Sequence, residues 1–247
     1  MFGYGADRRV INTVFAILII WSLLSMSSAQ KLNLLLTLPA VIIAITFHEF
    51  AHANAAVKLG DTTPKNQGRL TLNPLSHIDP FGFFLLLFAN IGWGRPVQVN
   101  PSNYTSNKSR GFCDSMVALA GPLMNFTIAL VACMAYLLIY YLGGSVAVFS
   151  TTVGTILGYF LQILVAINIG LGVFNLIPLP PLDGEKIFRN LLPTKAQRWL
   201  QDNYATLSTV FMILWIFGVL EIIVSPIISA LSNVMFFIVE KVILFFI

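Results

Sequence analysis

Two of the three histidines in this chain lie four residues apart, in the sequence His48-Glu49-Phe50-Ala51-His52. Residues with this spacing share one face of a helix, so both imidazoles can bind one metal ion. The glutamate between them can reach a metal-bound water and act as a general base, and this HExxH pattern is typical of catalytic zinc sites. The motif therefore predicts one zinc ion per chain, bound by His48 and His52, with Glu49 as the catalytic residue. The alternative is a buried pair of structural histidines.

A third zinc ligand is expected, because a catalytic site has three protein ligands and one open position. Asp183 is the best candidate, since it directly follows the segment 175–182, which reads NLIPLPPL, at the end of an apolar run. Three prolines exclude a regular helix there. Irregular backbone at membrane depth is tolerated only where it is buried in protein or lines a cavity. The remaining acids near apolar runs are expected to be caps, snorkelling groups or solvated charges: Asp79, Asp114, Glu221 and Glu240.

The composition identifies the solvent in which these residues must work. Of the 247 residues, 57% are hydrophobic and 10% are charged, whereas a soluble domain is about 25% charged. The mean hydropathy is +0.84, so we expect a lipid bilayer as the surroundings. The net charge of +4 is not gathered into a basic tract, which excludes nucleic acid as a partner. Cys113 and Cys133 have neither a metal nor a disulfide spacing and are predicted to be packing residues.

The predicted fold class is an α-helical integral membrane protein, folded as one domain over residues 1–247. Six apolar runs are close to the roughly 20 residues that a spanning helix needs; they cover about 10–28, 34–57, 115–142, 152–175, 205–224 and 227–246. The apolar stretch 81–93 is too short to span and is predicted to be a re-entrant element. A small membrane-associated β-hairpin is predicted in the same region, about 80–100.

The basic residues predict the orientation of the chain, because cytoplasmic loops collect Lys and Arg. With residue 1 inside and the short stretch returning to its own side, Lys31 is the one basic loop residue that faces outward. A true span at 81–93 would instead move every basic loop residue from Arg95 to Arg198 to the outer side. We therefore predict that both termini are cytoplasmic, that Lys241 lies near the cytoplasmic end of the last helix, and that the active site is nearer the cytoplasmic face.

These motifs resemble those of the site-2 protease family of intramembrane zinc metalloproteases, peptidase M50. The HExxH at 48–52 and the sequence NLIPLPPLDG at 175–184 match the two defining motifs in order and spacing, and AGPLMN at 120–125 looks like a third. The resemblance implies that Glu49 is the catalytic acid and base and that Asp183 completes the zinc site. It also implies that Asn175 steadies the substrate or the oxyanion; a helix C-terminal cap is the alternative. The chain looks like a compact member without PDZ or CBS domain.

A transmembrane substrate must be unwound before its peptide bond is accessible, and addition to an exposed strand edge would replace the lost hydrogen bonds. The sequence IGWGRPVQVN at 91–100 could supply that edge, with Trp93, Val97 and Val99 as substrate-binding candidates. An interfacial hairpin anchored by Trp93 is the alternative. His77, in the loop before this region, is expected to be structural, with a role near the zinc as the alternative.

The predicted function is hydrolysis of peptide bonds within or next to transmembrane segments, by a zinc-activated water with Glu49 as general base. The predicted partners are a transmembrane-helix protein substrate and the lipid bilayer, and the compactness of the chain suggests a prokaryotic cell membrane. A membrane metal-ion transporter or a non-catalytic metal-dependent binding protein would use the same ligands. Neither the substrate nor the oligomeric state follows from the sequence.

Overall fold

The computed structural model describes residues 21–89, 92–143 and 148–247. Its principal helices, in chain order, are α1 (Ser28–Lys58), α2 (Thr63–Asn66), α3 (Pro80–Ala89), α4 (Arg110–Leu142), α5 (Thr152–Asn175), α6 (Asp183–Arg189), α7 (Thr194–Asp202), α8 (Tyr204–Ile216) and α9 (Val219–Phe246). Two short 3-10 turns, Pro74–Ser76 and Pro101–Asn103, lie in the loops between α2 and α4.

Four helices, α1, α4, α5 and α9, are long and apolar enough to cross a membrane. Helices α1, α4 and α5 each begin after a hydroxyl side chain that accepts a backbone N–H of the first turn: Ser27, Ser109 and Thr151. Such caps satisfy donors that a helix N-terminus leaves unpaired. These three helices coincide with the predicted runs 34–57, 115–142 and 152–175. The run at about 10–28 lies mostly outside the described residues.

The core between the crossing helices is built largely from small side chains. Ala40, Ala129 and Cys133 are fully buried in it, together with Val165 and Ile169. Small residues let the helix backbones approach closely, which is the main source of packing contacts between helices in lipid. Both cysteines are buried and free, in keeping with the packing role predicted for them.

The four crossing helices alternate in direction. The Tyr159 hydroxyl donates to Asn33 Oδ1 near the beginnings of α5 and α1, so these two helices run parallel. Tyr141, near the end of α4, donates to Glu240, near the end of α9, so these two also run parallel. Since α4 starts where α1 ends, the C-terminus lies at the end of the bundle opposite Lys58. Six spans would instead have returned Glu240 and the C-terminus to the Lys58 end.

The last two predicted spans, 205–224 and 227–246, have the wrong boundaries. Helix α8 ends at Ile216, and α9 then runs unbroken from Val219 through Pro226 to Phe246. The break falls at Gly218, whose φ of +71° is a left-handed conformation that glycine adopts at little cost. A membrane helix tolerates an internal proline when its surroundings satisfy the freed backbone groups, so Pro226 does not mark a boundary.

The predicted β-hairpin at about 80–100 is not seen in the described part of this region. Residues 80–89 are helix α3, and residues 92–105 form a segment, which we call the strap, that is extended on either side of the 3-10 turn Pro101–Asn103. Within the described part of this region, β-type pairing is limited to one isolated antiparallel bridge between Ile78 and Gly94. The hairpin fails because strap amides bond to side chains instead of to a second strand: Val97 N–H donates to Glu49 and Asn100 N–H donates to Asp61. The re-entrant position of α3 stays a prediction.

Candidate metal centre and active site

The structure brings the two motif histidines of α1 together with the carboxylate that begins α6. His48 Nε2 and His52 Nε2 are 3.0 Å apart, and each lies 3.1 Å from Asp183 Oδ2. Both imidazoles are buried. Among the described residues, this is the one group of three histidine, cysteine or acidic side chains whose ligand atoms converge closely enough to hold a metal ion.

Each imidazole is oriented through its other ring nitrogen. His52 Nδ1 lies 2.7 Å from the Val117 carbonyl oxygen, and His48 Nδ1 lies 2.6 Å from Asn125 Oδ1. A carbonyl oxygen only accepts, so each neutral imidazole carries its proton on Nδ1. Both Nε2 atoms then present lone pairs toward the Asp183 carboxylate. In metal-binding histidines, the ring nitrogen that does not bind the metal generally donates such a hydrogen bond.

The arrangement fits a zinc ion. Three lone-pair atoms that face one another at 3.0 to 3.1 Å repel unless a cation lies among them. A tetrahedral zinc with bonds of roughly 2.05 Å needs ligand atoms about 3.3 Å apart, close to the separations observed. Two imidazoles and one carboxylate are also ligand types that zinc accepts, with one position left for water.

Gly121 of α4 makes room for the two imidazoles. A Cβ atom added at this position would lie 2.4 Å from His52 Nε2 and 2.6 Å from His48 Cε1. Both distances are far inside van der Waals contact, so any larger residue would push into the proposed ligand atoms. The glycine of the AGPLMN sequence is therefore part of the site.

Asp183 is placed by the short helix that it begins. The backbone before it contains Pro180 and Pro181, and α6 is tied to α4 through Ser115, whose hydroxyl donates to the Lys186 carbonyl oxygen at 3.5 Å and accepts from Asn190 Nδ2 at 3.1 Å. Burial alone would raise the pKa of Asp183, but positive charge on the facing imidazoles in the metal-free protein holds that pKa well below its usual range. The carboxylate is therefore ionised, which is the form that binds metal.

The half-buried Glu49 lies beside the ligands and is reached by the strap. Glu49 Oε2 accepts the Val97 backbone N–H at 2.8 Å. The strap is also fixed at its start, where Arg95 N–H donates to the His77 carbonyl oxygen at 2.7 Å. Extended chain therefore passes directly over the carboxylate predicted to act as general base.

The other end of the strap is held by one buried carboxylate. Asp61 is fully buried and accepts from the backbone N–H and hydroxyl of Thr63, from Asn100 N–H and from Asn103 Nδ2, at 2.6 to 3.0 Å. Burial acts to raise the pKa of Asp61, but these hydrogen bonds outweigh it and hold the pKa below its usual range. Asp61 thereby joins the end of α1 to the strap.

The remaining predicted residues have less direct placements. Asn175 is the last residue of α5, and its Nδ2 donates to the Leu171 carbonyl oxygen at 3.0 Å within the same helix. Trp93 is 43% exposed and Val99 is partly buried in the strap. His77 is fully buried and bonds to the Thr71 carbonyl oxygen, away from the three metal-binding candidates.

Several residues of the site were not singled out from the sequence. Gly121 and Asn125 belong to the AGPLMN sequence, but the residues alone assigned them no role. Asn168 and Asp61 were missed. A signal for Asn168 was present, because a polar side chain inside the apolar run 152–175 is costly unless it has partners. Asp61 carries no such signal, since loop acids are common.

A bundle of helices long enough to cross a membrane, with an HExxH helix and a carboxylate as the third candidate metal ligand, defines the class of membrane metallopeptidases. The model of Peptidase family M50 matches residues 36–219. The chain therefore belongs to peptidase family M50, and the resemblance seen in the sequence is confirmed.

Three relatives illustrate the similarity. The chain is 38% identical over 193 residues to "Putative zinc metalloprotease YwhC" of Bacillus subtilis, covering 77% of this chain and 84% of that protein. It is 31% identical over 172 residues to "Putative zinc metalloprotease Rip2" of Mycolicibacterium smegmatis, covering 67% and 61%. It is 29% identical over 191 residues to "Putative zinc metalloprotease MJ0611" of Methanocaldococcus jannaschii, covering 74% and 85%. No solved structure matches the chain with significance.

Proposed function

We propose that this protein is an intramembrane zinc metalloprotease that cleaves peptide bonds within or next to the transmembrane segments of other membrane proteins. The observation that carries the proposal is the convergence of His48, His52 and Asp183 beside the half-buried Glu49, inside a helical membrane bundle. Membership of peptidase family M50 and the names of its relatives support the same chemistry.

Each polar residue of the site has a role in this proposal. His48, His52 and Asp183 hold one zinc ion, which when bound supplies Lewis-acid activation of water and of the scissile carbonyl. Glu49 takes a proton from the attacking water and returns it to the leaving amine, so one water is consumed per bond. Asn175 steadies the substrate or the oxyanion, for which its amide must leave the Leu171 carbonyl oxygen.

The strap is the proposed contact for the unwound substrate. An extended peptide laid beside the strap would regain the backbone hydrogen bonds that its helix loses. The strap residues Arg95, Pro96 and Gln98 are exposed, so a second chain can reach this segment. Because Val97 N–H already bonds to Glu49, a peptide beside Trp93, Val97 and Val99 would lie next to the catalytic carboxylate.

The orientation proposed for the chain follows from its basic residues. Lysines and arginines gather in the loops after α1, before α4 and after α5, which all lie at the Lys58 end of the bundle. By the positive-inside rule this end faces the cytoplasm, and the proposed active site is nearer that face. The direction of α9 supports a C-terminus on the outer side, in contrast to the cytoplasmic C-terminus predicted from six spans.

Cysteine labelling tests this orientation in intact cells. Both native cysteines are buried, so an added cysteine reports alone. An impermeant maleimide should label Ile247→Cys from outside but label Asn107→Cys, in the loop before α4, only after lysis. The opposite pattern, or protection of both positions, would overturn the proposed orientation.

Cleavage of a reconstituted transmembrane-helix substrate tests the function. Wild-type protein, Glu49→Gln and a control, Glu221→Gln in the exposed first turn of α9, would be compared in proteoliposomes. Zinc per chain would be measured on the same preparations. We expect Glu49→Gln to keep its zinc but to cleave at least 10²-fold more slowly, roughly the contribution of a general base, and Glu221→Gln to match wild type.

The experiment has clear contrary outcomes. Equal cleavage by Glu49→Gln and wild type would refute the assigned chemistry. A zinc-loaded wild type that cuts no helical substrate, but moves zinc across the bilayer, would identify a transporter instead. Loss of cleavage on treatment with a chelator, restored by one equivalent of zinc, would support the protease.

A further inference from the structure

Two asparagines outside the proposed ligand set are fully buried among the crossing helices, Asn125 in α4 and Asn168 in α5. A buried amide is costly unless its donors and acceptor find partners. Here the two side chains bond to each other, with Asn125 Nδ2 2.9 Å from Asn168 Oδ1. Asn125 also contacts a candidate metal ligand, because its Oδ1 lies 2.6 Å from His48 Nδ1.

Backbone carbonyl groups fix the direction of every hydrogen bond in this series. Asn168 Nδ2 donates to the Leu164 carbonyl oxygen at 2.9 Å, which can only accept, so Asn168 must present its own oxygen to Asn125. Asn125 then presents Nδ2, which also donates to the Ala44 carbonyl oxygen at 3.1 Å. Its oxygen is left to face His48. Amide orientation is normally assigned from such partners, and here both ends agree.

We propose that Asn168 is a positioning residue that controls the tautomer of His48 through Asn125. With the Asn125 oxygen facing the ring, His48 must carry its proton on Nδ1 and offer Nε2 to the metal ion. This inference rests on the proposed function, in which His48 binds zinc. It extends the metal centre to α5, a helix that contributes no metal ligand of its own.

The two histidines differ in a way that makes the inference specific. His52 donates directly to the Val117 backbone carbonyl oxygen, which cannot turn into a donor. The Asn125 amide can turn by half a rotation, and would then point Nδ2 at His48. Only Asn168 and the Ala44 carbonyl oxygen prevent this rotation. Loss of the Asn168 oxygen should therefore disturb His48 and leave His52 unchanged.

Asn168→Leu tests the inference by removing both polar atoms from a side chain of similar size. Asn33→Leu is the control, because Asn33 likewise bonds to a neighbouring helix, through Tyr159 of α5, but near the opposite end of α1 from the metal centre. Zinc dissociation constants would be measured by chelator competition. Ring nitrogen-15 spectra of the metal-free proteins, recorded at a pH high enough for neutral imidazoles, would report tautomers, and the three histidines make these spectra simple to assign.

We expect Asn168→Leu to weaken zinc binding by roughly 10-fold, at the low end of the 10- to 100-fold effects of outer partners of metal ligands. His48 should then show a mixture of tautomers, while His52 and the Asn33→Leu protein stay as in wild type. Asn168→Asp should restore binding to within about 3-fold, because a protonated carboxyl group donates to Leu164 and accepts from Asn125 as the amide does.

Asn168→Ser gives a second route if the leucine variant does not fold. Its short hydroxyl bonds back to the Leu164 carbonyl oxygen and leaves Asn125 without its acceptor, so the same loss is expected. Wild-type zinc affinity and a single His48 tautomer in either variant, with only thermal stability reduced, would overturn the inference. Because the spectra use metal-free protein, they decide this point even if wild type binds no zinc and the proposed function fails.

Discussion

His48 and His52 are held by buried residues of helix α4, whereas the strap that reaches Glu49 is held largely by contacts in loops. On the metal side, α4 supplies Gly121, Asn125 and the Val117 carbonyl oxygen within contact distance of the imidazoles. On the strap side, Val97 bonds to Glu49, and the far end is joined to the end of α1 through Asp61 and through the bond from Thr105 N–H to the Leu59 carbonyl oxygen. The imidazoles are thus enclosed by helices, whereas the strap depends on a few separate hydrogen bonds.

This contrast matches what the two halves would do in a protease. Metal ligands gain affinity when they are fixed before the ion arrives. A surface that receives an unwound substrate must open and close, and such elements belong to the least stable parts of a protein. We therefore expect substitutions next to the imidazoles to weaken zinc binding. Substitutions that loosen the strap should slow substrate cleavage without loss of zinc.

The largest expected effect is at Gly121. Gly121→Ala places a methyl group against both imidazoles, and either the imidazoles or α4 must move. We expect zinc affinity, measured by chelator competition, to fall by at least about 100-fold. This exceeds the usual effect of changing a residue that hydrogen-bonds to a metal ligand. Gly170→Ala is the control, because its added methyl group would meet only Ile228 Cδ1, at an ordinary 3.6 Å. Wild-type affinity in Gly121→Ala would show that the imidazoles are not confined as described.

A smaller and different effect is expected at Asp61. Asp61→Asn keeps one acceptor oxygen but places an amide where strap donors converge, which should weaken the strap by roughly 2 to 4 kcal/mol. Cleavage of a helical substrate should fall about 10-fold while zinc content stays at one per chain. Asp202→Asn, at the exposed end of α7, is the control. Loss of zinc in Asp61→Asn would mean that the strap and the metal centre are coupled, and would refute their separate roles.

The smallest effect concerns acid pH. The pKa of Asp61 is lower in the folded protein than its ordinary value of 3.8, so its stabilisation is complete above that value and is lost as pH falls further. The hydrogen-exchange protection of the Asn100 amide, corrected for intrinsic rates, should drop as the pH falls below about 4. The same drop should be absent in Asp61→Asn. Constant protection in wild type would show that another contact holds the strap.

The metal half could be predicted from the sequence, because its signals are local. The four-residue spacing of His48 and His52 places both on one face of a helix. The prolines before Asp183 rule out a regular helix there. The partners of these residues could not be predicted in the same way. The bond between Asn125 and Asn168 depends on how α4 packs against α5, and no spacing in the chain specifies that.

The strap and the last helices show where local patterns mislead. Val97 and Val99 alternate as in a strand, but the Val97 and Asn100 amides found side-chain acceptors in Glu49 and Asp61. A proline often ends a helix, yet α9 continues through Pro226. The helical path is interrupted at Gly218 instead. In both regions tertiary contacts or the membrane surroundings outweighed the pattern.

X-ray absorption at the zinc edge tests the central claim most directly, on purified Glu49→Gln protein loaded with one equivalent of zinc. The ligand set proposed here predicts two imidazole nitrogens with oxygen neighbours, all at roughly 2.0 to 2.2 Å. One imidazole should be lost in His48→Ala. A single imidazole in the unaltered site, or sulfur at about 2.3 Å, would contradict a centre formed by His48, His52 and Asp183.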